Sequence, residues 1–153
     1  MNLDRTDRAI LKVLQSDGRL SNADLAERVG MSPSACHRRV RLLEDNAIIK
    51  SYAALLNPDA VDRGLTVIVL ATLENQRRET MERFEAAVAE VSEVMVCYLM
   101  TGAEDYLLRV QVRDARDYER VHRDRLSGLP GVTRLQSNIV MREVFTRTAL
   151  PLG

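Results

Sequence analysis

"GMSPSACHRRVRLLEDNAIIKSY", residues 30–52, decides how the first half of the chain folds. Ser32 followed by Pro33 is a helix-start signature: a serine side chain accepts an otherwise free amide, and proline presets φ at the first helical position. Cys36, Val40, Leu43 and Ala47 then recur at spacings of four, three and four, which predicts one narrow apolar stripe. On a helical wheel Ser34, Arg38, Arg41 and Asp45 lie opposite that stripe, with His37 and Arg39 on its flanks. Donors and positive charge crowd the outward N-terminal half, while Glu44 and Asp45 fall in the second half. A helix entering a DNA groove tip-first has this asymmetry, because its first turns meet base edges and its dipole favours phosphate. Taken alone, such a charge run is also what an ordinary solvated helix face looks like. Cys36, on the stripe, reads as a small hydrophobe.

The flanking sequence supplies the context that separates the two. Upstream, Asp4 and Asp7 place carboxylates in the first turn of a helix carrying Ile10, Leu11 and Leu14, which Gly18 should end. "SNADLAERVG" predicts a second helix, with Ser21 as cap, Leu25, Ala26 and Val29 as its face and Gly30 as its stop. Two short helices, a glycine turn and a longer third helix make a helix-turn-helix. "IIKSYAALL" predicts a short strand or hairpin, placed as a wing, with Lys50 and Ser51 set for backbone contact. The candidate DNA contacts are Ser32, Ser34, His37, Arg38, Arg39, Arg41 and Lys50.

Asn57-Pro58 and Gly64 mark a linker over 57–65, so that 1–56 is one domain and 66–153 another. Beyond the linker "LTVIVLATL" is strand-like, and "RETMERFEAAVAEV" is helical with Met81, Phe84, Val88 and Val91 on one side. "VMVCYLM" and "DYLLRVQV" are strands flanking "TGAE". "ARDYERVHRDRLSG" is a helix with Tyr118, Val121 and Leu126 inward, and "VTRLQSNIVM" is the last strand. The order βαββαβ is the ferredoxin-like arrangement, so the chain is α+β overall. Both helices of that unit cover one sheet face, yet Val67 to Ala71 is apolar at every position. A sheet apolar on both faces needs a second cover, which a second copy of the chain would provide.

Composition bounds the alternatives. The chain has 153 residues, 46% of them hydrophobic and 29% charged, with 22 Lys+Arg against 22 Asp+Glu. Zero net charge excludes a polybasic tail-type binder, though not a local basic patch. Two cysteines and two histidines, scattered, suggest no disulfide framework, no metal site and no cofactor. The N-terminus lacks a signal-peptide core, and the longest apolar run is far too short for a bilayer, which implies a cytoplasmic protein without a membrane partner.

The stretches "LDRTDRAILKVLQSDGRLSNADLAERVGMSPSACHRRVRLLEDNAIIKSYAALLNP", "TGAEDYLLRV" and "LPGV", in this order and spacing, resemble the leucine-responsive regulator/AsnC (Lrp/AsnC) family of transcription factors. The resemblance implies a winged helix-turn-helix for double-stranded DNA and a ferredoxin-like domain for effector binding and oligomerisation. It also implies dimers that often build octamers, and an amino acid as effector. By the same resemblance the effector sits near the turn at Gly102 and Asp105, with Met100, Thr101 and Glu104 as neighbours and Leu135 and Ser137 on the last strand. Read without the resemblance, "TGAE" is an ordinary hairpin tip. Leu135 departs from the small hydroxyl residue that some relatives carry, so a relative's ligand preference does not transfer. Two other functions fit the architecture: an architectural DNA binder without effector, and an enzyme similar to the sirohaem decarboxylases. The second would need groups to hold a tetrapyrrole, and this chain has one His in each half and no His/Arg-rich patch in its sheet domain, so no enzyme is expected.

Overall fold

Asp4 and Asp7 start the first helix, α1 (Arg5–Ser16), as a reciprocal capping box: each side chain accepts the other's amide, at 2.8 and 3.1 Å. Helix α2 (Asn22–Arg28) begins at Ser21, whose hydroxyl accepts the Asp24 amide. Gly30 then takes φ +67°, a left-handed turn that a side chain would strain. Helix α3 (Pro33–Asp45) begins as the Ser-Pro signature predicts, with the Ala35 amide donating to the Ser32 hydroxyl. Ile10, Leu11, Leu25, Ala26, Cys36 and Leu43 bury together as one small core. These are features of the computed structural model, which describes residues 2–152.

Three expectations for this half need correction. α1 stops at Ser16, and Asp17, not Gly18, donates its amide back to the helix at Val13. Ala47 is not on the buried stripe: α3 has ended, and Ala47 is exposed at φ 54° in the turn that follows. The Ile48 and Ile49 amides fold back onto the Leu43 carbonyl, so Ile49 takes the place on the core instead. The segment expected to be a strand or hairpin, 48–56, forms no strand within one chain. That segment is held by Tyr52, whose hydroxyl donates to Glu44 at 3.0 Å; burial, then this bond, push the phenol up to about 12.

The domain limits also shift. Contacts divide the chain into Leu56–Glu143 and a unit made of Met1–Leu55 with Val144–Gly153. The C-terminal segment therefore belongs with the helices. The Gln15 amide group pairs with both the Leu150 N–H and C=O, Arg8 donates to the Leu152 carbonyl, and the Leu152 side chain joins the small core. A non-local docking of this kind leaves no periodicity to read. The expected linker folds with the sheet unit, through a 3-10 turn at Asp59–Val61 and an Arg63 amide bonded to the Pro58 carbonyl.

The second unit comprises β1 (Leu65–Leu73), α4 (Arg78–Ala89), β2 (Val94–Leu99), β3 (Tyr106–Val112), α5 (Ala115–Val121) and β4 (Val132–Ile139). The sheet order is β2-β3-β1-β4, with every pairing antiparallel. This is the expected ferredoxin-like unit, except that α5 runs into a π-helical turn at His122–Leu126 instead of continuing as α-helix. Alternation sets the layers. Val67, Val69, Ala71 and Leu73 of β1 bury with Phe84 and Val88 of α4 and Tyr118 and Val121 of α5. Each buried Val, Leu or Phe side chain among them contributes about 1.5–3 kcal/mol. Ile68, Leu70 and Leu107 point to the opposite face, where they are only half-buried.

Candidate nucleic-acid interface and effector site

Asn22 of α2 donates to the Pro33 carbonyl at 2.8 Å, which fixes the start of α3 against its neighbour. From that start the outward face presents Ser34, His37, Arg38 and Arg41, all exposed, with Lys50 exposed beyond the helix. The Ser32 hydroxyl is spent on the cap and lies 3.4 Å from that of Ser34. Among the described residues, Arg38 and Arg41 form no ion pair.

Arg39 has a different fate. Its Nη1 bonds Asp4 Oδ2 and Asp7 Oδ1, both at 2.7 Å, and Asp7 is only 2% exposed. The bonds to Asp7 and then Asp4 raise the guanidinium pKa, while the Asp7 amide and then Arg39 hold the Asp4 carboxyl below its ordinary value. Arg39 is thus a strut between α3 and the capping box of α1. The wheel puts it on a flank of the core stripe; what sequence does not show is that the same two acids that cap α1 also receive it.

In the sheet unit, the β2–β3 hairpin closes when the Met100 amide donates to the Asp105 carbonyl at 2.8 Å. Thr101 and Gly102 are exposed at its tip, Glu104 is half-buried and Asp105 is buried. Gly102 sits at φ +127° with open space where a Cβ would project, so the constraint there is backbone strain and not crowding. The Asp105 carboxylate accepts the Leu73 amide and the Gln76 side chain, both at 2.7 Å. Gln76 was missed by sequence reasoning, since nothing in a loop sequence announces a partner 29 residues away.

Leu135 and Ser137 are not beside that tip. Leu135 pairs with Ala71, which pairs with Tyr106, so two strand spacings, roughly 10 Å, separate Leu135 from the end of β3. Leu135 packs against the sheet core, and the Ser137 hydroxyl is hydrogen-bonded to that of Tyr118 on α5. Within one chain the candidate effector residues form two separate groups. A cavity of about 300 Å³ lies elsewhere, between α4 and β2, against Glu85, Val88, Met95, Cys97 and Tyr106. Among the described residues no cluster of three or more His, Cys, Asp or Glu forms a metal cage. No helix there is long and apolar enough to cross a membrane.

The chain matches two family models, a winged helix-turn-helix DNA-binding model over residues 3–50 and the Lrp/AsnC ligand binding domain over 66–150. It is 45% identical to the leucine-responsive regulatory protein of Salmonella typhimurium and 44% identical to that of Escherichia coli K12. Each alignment covers 94% of this chain and 87% of the relative. Among solved structures, a transcriptional regulator of Neisseria meningitidis in complex with L-methionine superposes with TM-score 0.93 at 41% identity, over 99% of this chain and 97% of that one. An AsnC family transcriptional regulator of Agrobacterium tumefaciens gives 0.93 at 37% identity, over 98% and 97%.

Proposed function

The chain belongs to the Lrp/AsnC family of transcriptional regulators, and from that premise we propose that it binds operator DNA through α3 and answers to an amino acid through its sheet unit. The observation that carries the first half is the set of groups left unspent on α3: Ser34, His37, Arg38 and Arg41 face outward while Arg39 is withdrawn into the fold. Arg38 and Arg41 supply base or phosphate contacts in the major groove, Lys50 a phosphate contact, and Ser32 its capped backbone at the helix tip. Such a protein works in the cytoplasm, where its DNA is.

Met100, Thr101, Gly102 and Glu104 form one wall of the effector site and Leu135 and Ser137 another. Their separation within one chain supports a site assembled between copies. The open sheet face supports self-association as well. Ile68, Leu70 and Leu107 are half-covered there, Tyr98 is exposed, and Arg109 Nε is buried with no hydrogen-bond partner among the described residues. A second copy would cover this face as a dimer, and dimers would assemble further into an octamer. An effector seated between copies shifts DNA binding because it favours one assembly over another.

A thermal-shift screen against the twenty amino acids, followed by gel-shift titration with the strongest stabiliser, tests this reading. One or more amino acids should raise Tm and change the retardation pattern. No stabiliser among the twenty, with DNA binding intact, would leave an architectural binder without effector.

A further inference from the structure

Asp105 occupies a buried position at the base of an exposed tip, and every polar group it has is committed. Its carbonyl accepts from Met100, its amide donates to the Ala71 carbonyl at 3.0 Å, and its two carboxylate oxygens take the Leu73 amide and Gln76 Nε2. Three of those four bonds leave the hairpin for the end of β1 and the loop after it. That loop is held on its other side by the Glu74 amide, which donates to the Gly131 carbonyl at 2.8 Å. Gln76 stands immediately before Arg77, the N-cap of α4. Asp105 is 7% exposed and both its carboxylate oxygens are taken, so a ligand ammonium has no free acceptor there, and displacing the carboxylate would leave the Leu73 amide buried without a partner.

We infer that Asp105 is a positioning residue and not an effector ligand: its carboxylate latches the hairpin tip to the β1–α4 loop through Gln76. This rests on the tip being one wall of the effector site. Contact with the effector then falls to the exposed tip, through the backbone at Thr101–Ala103 and the side chain of Glu104. Occupancy of the tip reaches the start of α4 through the latch, because tip and loop move together only while Asp105 bridges them.

The test exchanges donor and acceptor. In Gln76→Glu a second carboxylate faces that of Asp105 with no N–H between them, and that arm of the latch breaks. In Asp105→Asn with Gln76→Glu the asparagine donates to the new carboxylate and still accepts the Leu73 amide, so the latch is rebuilt with its polarity reversed. Hydrogen–deuterium exchange on the ligand-free full chain reads the latch directly. The single variant should exchange about tenfold or more faster over 73–77 and 100–105, and the double variant should return to within about threefold of wild type. Wild-type exchange in the single variant, or no recovery in a folded double variant, overturns the latch.

Calorimetric titration with L-methionine and L-leucine as probes reads the second half. Affinity lost in the single variant should recover in the double one. Affinity that stays lost while exchange recovers makes Asp105 a direct ligand and overturns the inference. A wild-type chain that binds neither probe nor any other amino acid defeats the effector reading instead, and the exchange experiment still decides the latch.

Discussion

α3 and the β2–β3 tip pose the same problem with opposite charge. On α3, Arg38, Arg39 and Arg41 look alike in the sequence, yet Arg39 is held by Asp4 and Asp7 while its neighbours stay outside. At the tip, Glu104 and Asp105 are adjacent acids, yet Asp105 is buried and committed to Leu73 and Gln76 while Glu104 stays half-exposed. In each place a charged group's role follows from which hydrogen bonds it has already made. A group with its bonds filled organises the site, and a group left open to solvent is available to a partner.

The comparison breaks first at α3. Arg38→Ala with Arg41→Ala should weaken DNA binding by about 2–6 kcal/mol, at roughly 1–3 kcal/mol per base contact, without loss of helix content. Anisotropy titration with an operator duplex measures it, and wild-type affinity would move the contacts off α3.

Arg39→Met should act on the fold instead. It leaves the Asp7 carboxylate without its cation, a loss of about 2 kcal/mol in the unfolding free energy of the N-terminal unit. Urea unfolding followed by circular dichroism checks it. A loss of DNA affinity with unchanged stability would return Arg39 to the interface.

Much of this was legible because it is local. Ser32-Pro33, Ser21 with Asp24, and Asp4 with Asp7 each close a helix start within three residues, so their types and spacing sufficed. The sheet unit followed from the change of period after Asn57-Pro58. What stayed hidden was non-local or depended on a missing pairing. Residues 51–56 have strand-like side chains but gain no ladder partner within the chain, so propensity alone misled. The docking of Leu150 and Leu152 on α1, and of Gln76 on Asp105, joins residues far apart in sequence. The same holds for Ser137, whose hydroxyl finds Tyr118 and not the hairpin tip.

The strut has a pH signature. The Asp4 carboxyl pKa is lower folded than unfolded, so its contribution is present above the ordinary carboxylate value and fades as pH falls through the folded value. Stability of the N-terminal unit should therefore decline below about pH 4, and Asp4→Asn should flatten that decline. An unchanged acid limb in Asp4→Asn would detach Asp4 from the strut. The smallest effect belongs to the C-terminal segment. Gln15→Ala removes both hydrogen bonds to Leu150 at an exposed site and should cost about 1 kcal/mol or less, seen as faster exchange over 144–152.

The most direct measurement compares two substitutions that remove the same charge. Arg41→Met and Arg39→Met each take one positive charge from α3, so a general electrostatic effect would treat them alike. The affinity for one operator duplex, titrated across a salt series, separates them. A lost phosphate contact reduces the slope of log K against log salt by about 0.9. The structure predicts that reduction in Arg41→Met or, if Arg41 reads a base, a loss of affinity specific to the operator, with Arg39→Met keeping the wild-type slope wherever it is folded. Equal changes in the two variants would contradict the assignment of the outward face of α3 as the DNA-reading surface.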